Sequence, residues 1–276
     1  MVVGTSPERE RELKHRERCA RAVPRDWRFP LTLLLLAGCD ATLPPLRGKL
    51  EVGRDAYAVF VGGSGLSSDL YAVRADGGPA YPLTYTPVAE LRPALAPDGG
   101  SVAFLRGKTL RDSTPATVWI LNLLSGADRE LRLPKGAGMP RRVGWMRDGR
   151  SIVVETDRGR YLLDPPPARS NGRPAAPAEK ARAESALAVL LGDPVFARVV
   201  PCGRGDELCV VGDTGTPGFL VRGAHDPVRW GPDSVAFMLG TRLEIRPLAR
   251  GRPRRLAWSN LPENPREMTF FPGRGE

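Results

Sequence analysis

The stretch LRPALAPDGGSVAFLR, Leu91–Arg106, decides the fold. Leu91 to Ala96 reads as extended chain, Pro97-Asp98-Gly99-Gly100 as a turn, and Ser101 to Leu105 as the return strand. Proline presets φ for a turn, aspartate caps it with its side chain, and glycine takes the positive φ that a Cβ disfavours. The segment is therefore a β-hairpin, and it recurs. VGWMRDGRSIVV, Val143–Val154, carries Asp148-Gly149 50 residues after Asp98-Gly99, and PVRWGPDSVAF, Pro227–Phe237, repeats the pattern without the glycine after Asp233. A period of that length marks an array of supersecondary units.

The chain between the copies fills out each unit. Thr117 to Asn122 matches Asp69 to Arg74, and Arg129 to Leu133 matches Ala80 to Thr84, so one period holds about four short strands. After the third copy come Thr241–Arg246 and Arg254–Trp258. The 85 residues from Asp148 to Asp233 leave room for two units, with strands at Arg160–Asp164, Phe196–Pro201, Glu207–Val211 and Gly218–Arg222. Glu267–Phe271 resembles the first half of the hairpin with nothing after it, and Tyr57–Val61 the second half with nothing before it. Joined, they would remove an exposed edge strand. The expectation is an all-β chain, a β-propeller of about five four-stranded blades closed by its N- and C-terminal strands. Pro165 to Gly192 interrupts the pattern with a Pro-rich loop followed by AEKARAESALAVLLG, an insertion expected to end in a short helix packed over one blade edge.

Composition agrees with many short strands, since the 276 residues include Gly 31 and Pro 28. The net charge is +10, but 8 basic and 5 acidic residues precede Cys39, leaving 33 and 26 spread over the rest. A dispersed excess of this kind reads as a solvated surface, and no nucleic-acid partner is expected. No cofactor is implied either.

The N-terminus resembles a bacterial lipoprotein signal peptide: an Arg-rich region ending at Arg28, an apolar run from Phe29 to Ala37, and the lipobox Leu36-Ala37-Gly38-Cys39. The apolar run is too short for a stable span of about 30 Å of hydrocarbon. The resemblance implies cleavage before Cys39, which becomes a diacylated first residue and anchors the protein to a membrane on the periplasmic side of a bacterial envelope. Asp40 would then be the second mature residue, a position that favours inner-membrane retention in proteobacteria; inner or outer membrane stays open. The domains expected are residues 1–38 as signal peptide, 39–52 as a lipidated tether stiffened by Pro44-Pro45, and 53–276 as the propeller, with the insertion at 165–192. Of the remaining cysteines, Cys202 and Cys209 flank a Gly-rich turn and can reach disulfide distance across a hairpin. A metal site there would need two further ligands, and none is evident.

DLYAVRADGGPAYPLT followed by LRPALAPDGGSVAF is similar to the TolB-type β-propeller repeat, and the likeness runs from Tyr57 to about Phe271. It implies a fold more than a function, because such repeats serve binding proteins and peptidase domains alike. By the resemblance, a partner would be an envelope protein of the Tol-Pal kind, although no counterpart of TolB's separate N-terminal α/β domain is expected here. The aromatic residue of the repeat before the turn is Leu95 in the first copy and Trp145 and Trp230 in the others.

No catalytic set emerges. Gly62-Gly63-Ser64-Gly65 lacks the second glycine of a nucleophile elbow, His225 beside Asp226 reads as a turn before Pro227, and Asp98, Asp148 and Asp233 are turn residues. Candidate binding residues are Arg92, Arg141, Arg142 and Arg229, which lie near the starts of inner strands and could ring a channel mouth, together with Trp145 and Trp230, which also suit packing between blades. The expected function is a membrane-anchored, non-catalytic protein-binding scaffold. The alternative is an envelope hydrolase or lyase, or its substrate-gating propeller, acting on peptide or glycan.

Overall fold

A computed structural model describes residues 45–64, 66–109, 115–167, 172–187, 199–202, 207–211, 217–230, 234–240, 242–247, 254–256 and 258–274. The signal segment, Cys39 and the turn at Asp233 lie outside the described residues.

The described chain is mostly β, arranged as antiparallel sheets of four strands and one of three. Its N-terminal part gives β1 (Tyr57–Gly62), β2 (Asp69–Arg74), and the two-residue strands β3 (Gly78–Pro79) and β4 (Tyr81–Pro82). The opening hairpin is β5 (Ala89–Leu95) and β6 (Ser101–Gly107), continued by β7 (Ala116–Asn122) and β8 (Asp128–Leu131) to make sheet 2. Sheet 3 follows in the same order with β9 (Pro140–Trp145), β10 (Ile152–Thr156), β11 (Gly159–Leu163) and β12 (Arg173–Pro174). Sheet 4 has β13 (Val199–Cys202), β14 (Glu207–Val211) and β15 (Pro217–Arg222), and sheet 5 has β16 (Ala224–Trp230), β17 (Ser234–Leu239), β18 (Arg242–Pro247) and β19 (Arg254–Leu256). Then β20 (Trp258–Ser259) pairs in parallel with β3, and β21 (Arg266–Phe271) pairs antiparallel with β1, so sheet 1 runs β21-β1-β2-β4. The strand after the last hairpin thus completes the sheet begun by the first strand.

The repeated turn is built twice in the same way. Gly99 N–H donates to Ala96 O and Ala96 N–H to Ser101 O, while the Asp98 carboxylate accepts from Gly100 N–H at 2.8 Å. In sheet 3, Gly149 N–H donates to Met146 O, Met146 N–H to Ser151 O, and Asp148 accepts from Arg150 N–H at 3.0 Å. Gly99 and Gly149 sit at φ +71° and +68°. The aspartates are held by turn chemistry, satisfying backbone donors that the tight bend leaves without ladder partners.

Alternate residues of adjacent sheets interlock as apolar layers. Val59, Val61 and Leu70 of sheet 1 meet Val102, Phe104 and Leu121 of sheet 2; Ala103, Leu105 and Ile120 of sheet 2 meet Val143, Ile152 and Val154 of sheet 3. Ala58, Phe60 and Val73 of sheet 1 meet Ala236, Met238 and Ile245 of sheet 5. Each large side chain buried this way contributes roughly 1.5–3 kcal/mol. Cys202 and Cys209 form a disulfide that joins β13 to β14, with Cα atoms 5.8 Å apart.

Three sequence expectations change. The tether expected over residues 39–52 is already packed at Leu46 and Leu50, which lie one helical turn apart, with Leu50 N–H on Leu46 O, and sink into the layer between sheets 1 and 2. The insertion at 165–192 contributes the fourth strand of sheet 3: Arg173 and Pro174 pair with Leu162 and Tyr161, an edge position that tolerates proline. Its helix, α1 (Lys180–Leu187), covers a face of sheet 3 rather than an edge, packing Ala183 and Leu187 on Met146, Val153 and Leu162. The contact is close because Gly144 has no side chain; a Cβ there would fall 2.3 Å from Ala186 O.

Candidate interaction face

The first strands of four sheets lie side by side in the order β16, β21, β5, β9. Each carries a bulge or a slip of register. On β5, Leu91 faces Leu105 and Ala94 faces Ala103, so Arg92 and Pro93 together oppose Phe104. On β16, Asp226 and Pro227 together oppose Phe237, and on β21, Glu267 and Met268 together oppose Phe60. All three phenylalanines are fully buried. On β9, the register slips between Pro140 and Arg142, at Arg141. An extra residue bends a strand and frees a backbone donor from the ladder.

The donors freed at Arg92 and Glu267 are met from the neighbouring sheet. Arg92, Asp226 and Glu267 have φ of +54°, +51° and +54°, sparsely populated values for residues with a Cβ. The Asp226 carboxylate of sheet 5 accepts from Glu267 N–H of sheet 1 at 2.8 Å, and the Glu267 carboxylate accepts from Arg92 N–H of sheet 2 at 2.5 Å. Glu267 also faces the Arg92 guanidinium at 3.6 Å. Three sheets are thus linked through their bulges.

The candidate residues fall along this row. Arg92 is at the bulge and its side chain is 44% exposed. Arg142, 50 residues on, donates to Leu187 O of α1 at 2.5 Å and lies 3.5 Å from Glu155. Arg141 is exposed beside it, and Arg229 lies on β16 opposite Val235. The tryptophans face the core. Trp145 is 9% exposed and donates its indole N–H to Ala94 O of sheet 2 at 3.0 Å, while Trp230 stacks on Phe270 of sheet 1 with centroids 4.0 Å apart. The structure therefore brings Arg92, Arg141, Arg142 and Arg229 to one row of strands and places Trp145 and Trp230 between sheets.

One buried cluster has no counterpart in the sequence expectations. Glu90 is fully buried at the junction of sheets 1 and 2. Its carboxylate accepts from Thr84 Oγ1, from Arg106 Nη2 at 2.7 Å and Nε at 3.1 Å, and from Thr86 Oγ1 at 3.3 Å. Arg106 also bonds Asp128 at 2.8 Å and lies 4.0 Å over the Trp119 ring. Burial pushes the Glu90 carboxyl above the usual glutamate range, against the opposing pull of Thr84 and Arg106. An acidic residue in the otherwise apolar run Ala89-Glu90-Leu91, opposite Arg106 once the hairpin register is set, was the available signal. Tyr57 is the other buried titrating group: its hydroxyl donates to Gly99 O, and burial, followed by the nearby Asp98 charge, pushes it well above the ordinary tyrosine range.

Among the described residues no three metal-ligating side chains converge. At the turn end of sheets 2 and 3 a cleft of about 480 Å³ is lined by Asp98, Asp148, Trp145 and Arg274, but both aspartates are engaged by their own turns. No described helix is long and apolar enough to cross a membrane.

No protein-family model matches the sequence, and no curated protein matches it. Among solved structures it is similar to TolB from Acinetobacter baumannii, with 15% identity, 78% of this chain and 66% of that one covered, and a TM-score of 0.41. A putative TolB from Agrobacterium tumefaciens is 16% identical over 79% of this chain and 71% of that one, with a TM-score of 0.34. A puromycin-hydrolysing peptidase of Mycobacterium tuberculosis is 16% identical over 76% of this chain and 37% of that one, with a TM-score of 0.33. The chain spans 66% of the length of the first TolB structure.

Proposed function

We propose that this chain is a lipoprotein anchored through Cys39 to a membrane of the bacterial envelope, and that its five sheets are the blades of a TolB-like β-propeller, closed by the β21–β1 pairing, that serves as a non-catalytic protein-binding scaffold. The observation that carries the reading is the row of first strands whose bulges are tied from sheet to sheet by Asp226, Glu267 and Arg92. Such a row holds charged side chains in fixed positions on rigid strands, which suits recognition. The two carboxylates at the bulges are occupied by backbone N–H groups, an arrangement that favours binding over acid–base chemistry. A partner of the Tol-Pal kind fits the resemblance, and the hydrolase reading would need paired carboxylates facing an open site.

The test is crosslinking followed by pull-down from membranes, with the wild type, Arg92→Ala and Cys39→Ser in parallel. A specific protein partner, lost with Arg92→Ala, supports the scaffold. Recovery of no protein, with a small molecule retained instead, overturns it. Cys39→Ser should leave the protein unprocessed or free of the membrane fraction; unchanged lipid labelling refutes the anchor.

A further inference from the structure

Beside the β10–β11 turn of sheet 3, a cleft of about 430 Å³ is walled on its far side by the segment that leads into α1. Three cationic side chains, Arg158, Arg160 and Lys180, line it against one carboxylate, Glu155. Arg160 is the unusual member. Its side chain is 28% exposed, its contacts to Glu155 and Glu184 are long at 3.4 and 3.3 Å, and its buried Nε–H has no hydrogen-bond partner among the described residues. A buried donor left unmet is costly, and a charged one more so. Among the described residues Lys180 makes no ion pair, and the Arg158 guanidinium reaches only Gly136 O at 3.2 Å. The lining at Gly159 is bare backbone, with no atom within 4 Å of where a Cβ would stand.

We propose that this cleft binds an oxyanion, the carboxylate or phosphate group of a small ligand, gripped by Arg160 and Lys180. The guanidinium fork matches two oxygens of such a group, and its present contacts are long enough to be exchanged for shorter, charge-assisted ones. The excess of two positive charges over negative in the lining favours a dianion, and Glu155 repels any ligand whose charge lies on its side of the fork. Tyr161 and Ala175 supply an apolar wall for the body of the ligand. The site lies at the β9 end of the row, since Glu155 of its lining is 3.5 Å from Arg142, and it depends on neither the lipid anchor nor the scaffold reading.

Calorimetric titration of the whole chain with inorganic phosphate and, separately, with succinate, each against chloride at matched ionic strength, tests the site. Saturable binding is expected, weakened about tenfold or more by Arg160→Gln. Lys180 is exposed and outside the core layers, so Lys180→Ala probes the site with the packing intact and should weaken binding as well. Binding of phosphate alone assigns a phosphate ester, and of succinate alone a carboxylate. No saturable heat above chloride for either probe, or unchanged affinity in both variants, overturns the proposal.

Discussion

Gly99 and Gly149 hold the same place in two copies of one turn, at nearly the same positive φ, yet their surroundings differ. A methyl group on Gly99 would lie 2.8 Å from two carbons of the Phe271 ring, whereas on Gly149 the nearest atom is Pro97 Cδ at 3.9 Å. Replacing either glycine by alanine incurs the left-handed backbone penalty, about 1–2 kcal/mol. Only Gly99→Ala adds overpacking, about 1–3 kcal/mol more. Phe271 has little freedom to yield, being 4% exposed and set against Tyr57 with centroids 5.6 Å apart. We therefore expect Gly149→Ala to cost about 1–2 kcal/mol and Gly99→Ala about 2–5 kcal/mol. Urea unfolding read by tryptophan fluorescence, with slopes compared so that the two-state treatment is checked, measures both. Shortening the ring with Phe271→Leu should relieve part of the Gly99→Ala cost, a coupling of at least about 0.5 kcal/mol, and should be additive with Gly149→Ala. Equal costs for the two glycines, or additivity at Gly99, would refute the packing of the C-terminal strand against the first hairpin turn.

Two other expectations are simpler. Because burial raises the Glu90 carboxyl in the fold, its stabilising contribution is complete below the ordinary glutamate range and is lost as pH rises through the higher folded value. Relative to Glu90→Gln, the wild type should lose stability over that window and match the variant in acid; parallel curves would show that Glu90 does not titrate in the fold. Opening the Cys202–Cys209 disulfide, which bridges a sequence separation of 7, should cost about 2 kcal/mol, measured as the shift in unfolding midpoint between the wild type and Cys202→Ser/Cys209→Ser. Free thiol labelling of the native wild type would refute the bridge.

What the sequence revealed was what local chemistry writes. Pro97-Asp98-Gly99 specifies its turn through a fixed φ, a side-chain acceptor and a left-handed glycine, so the hairpins, their spacing and the two half-hairpins that pair as β21 and β1 were readable. Cys202 and Cys209 were readable because a short Gly-containing link leaves a hairpin as the simple way to place them. The Glu90–Arg106 pair was not, because opposition across strands exists only after a register is chosen. Strand β12 was hidden in loop composition, since Arg173-Pro174 satisfies an edge position with a single outward face and shows no alternation. The helix was foreseen but not its seat on Gly144, where the decisive property is an absent side chain on another sheet.

The bulges show where legibility fails. Proline inside a strand signals an edge or a bulge, so Pro93 and Pro227 carry a signal of irregular backbone that the reading of Leu91–Ala96 as extended chain and of Asp226 as a turn does not use, and nothing marks Glu267. A bulge releases an N–H that must find a new acceptor, and here it is a carboxylate from the adjacent sheet. The positive φ values at Glu267 and Arg92 are therefore sustained by neighbouring sheets. That coupling orders the charges along the row: Asp226 and Glu267 from sheets 5 and 1, then Arg92 and Arg142 from sheets 2 and 3. Under the scaffold reading, a partner approaching this row meets the half-exposed guanidinium groups of Arg92 and Arg142, while the Asp226 and Glu267 carboxylates hold backbone N–H groups of the next sheet. Exposed charges of this kind add little raw affinity but select one docking orientation and speed encounter, so the partner surface should carry acidic groups toward Arg92 and Arg142.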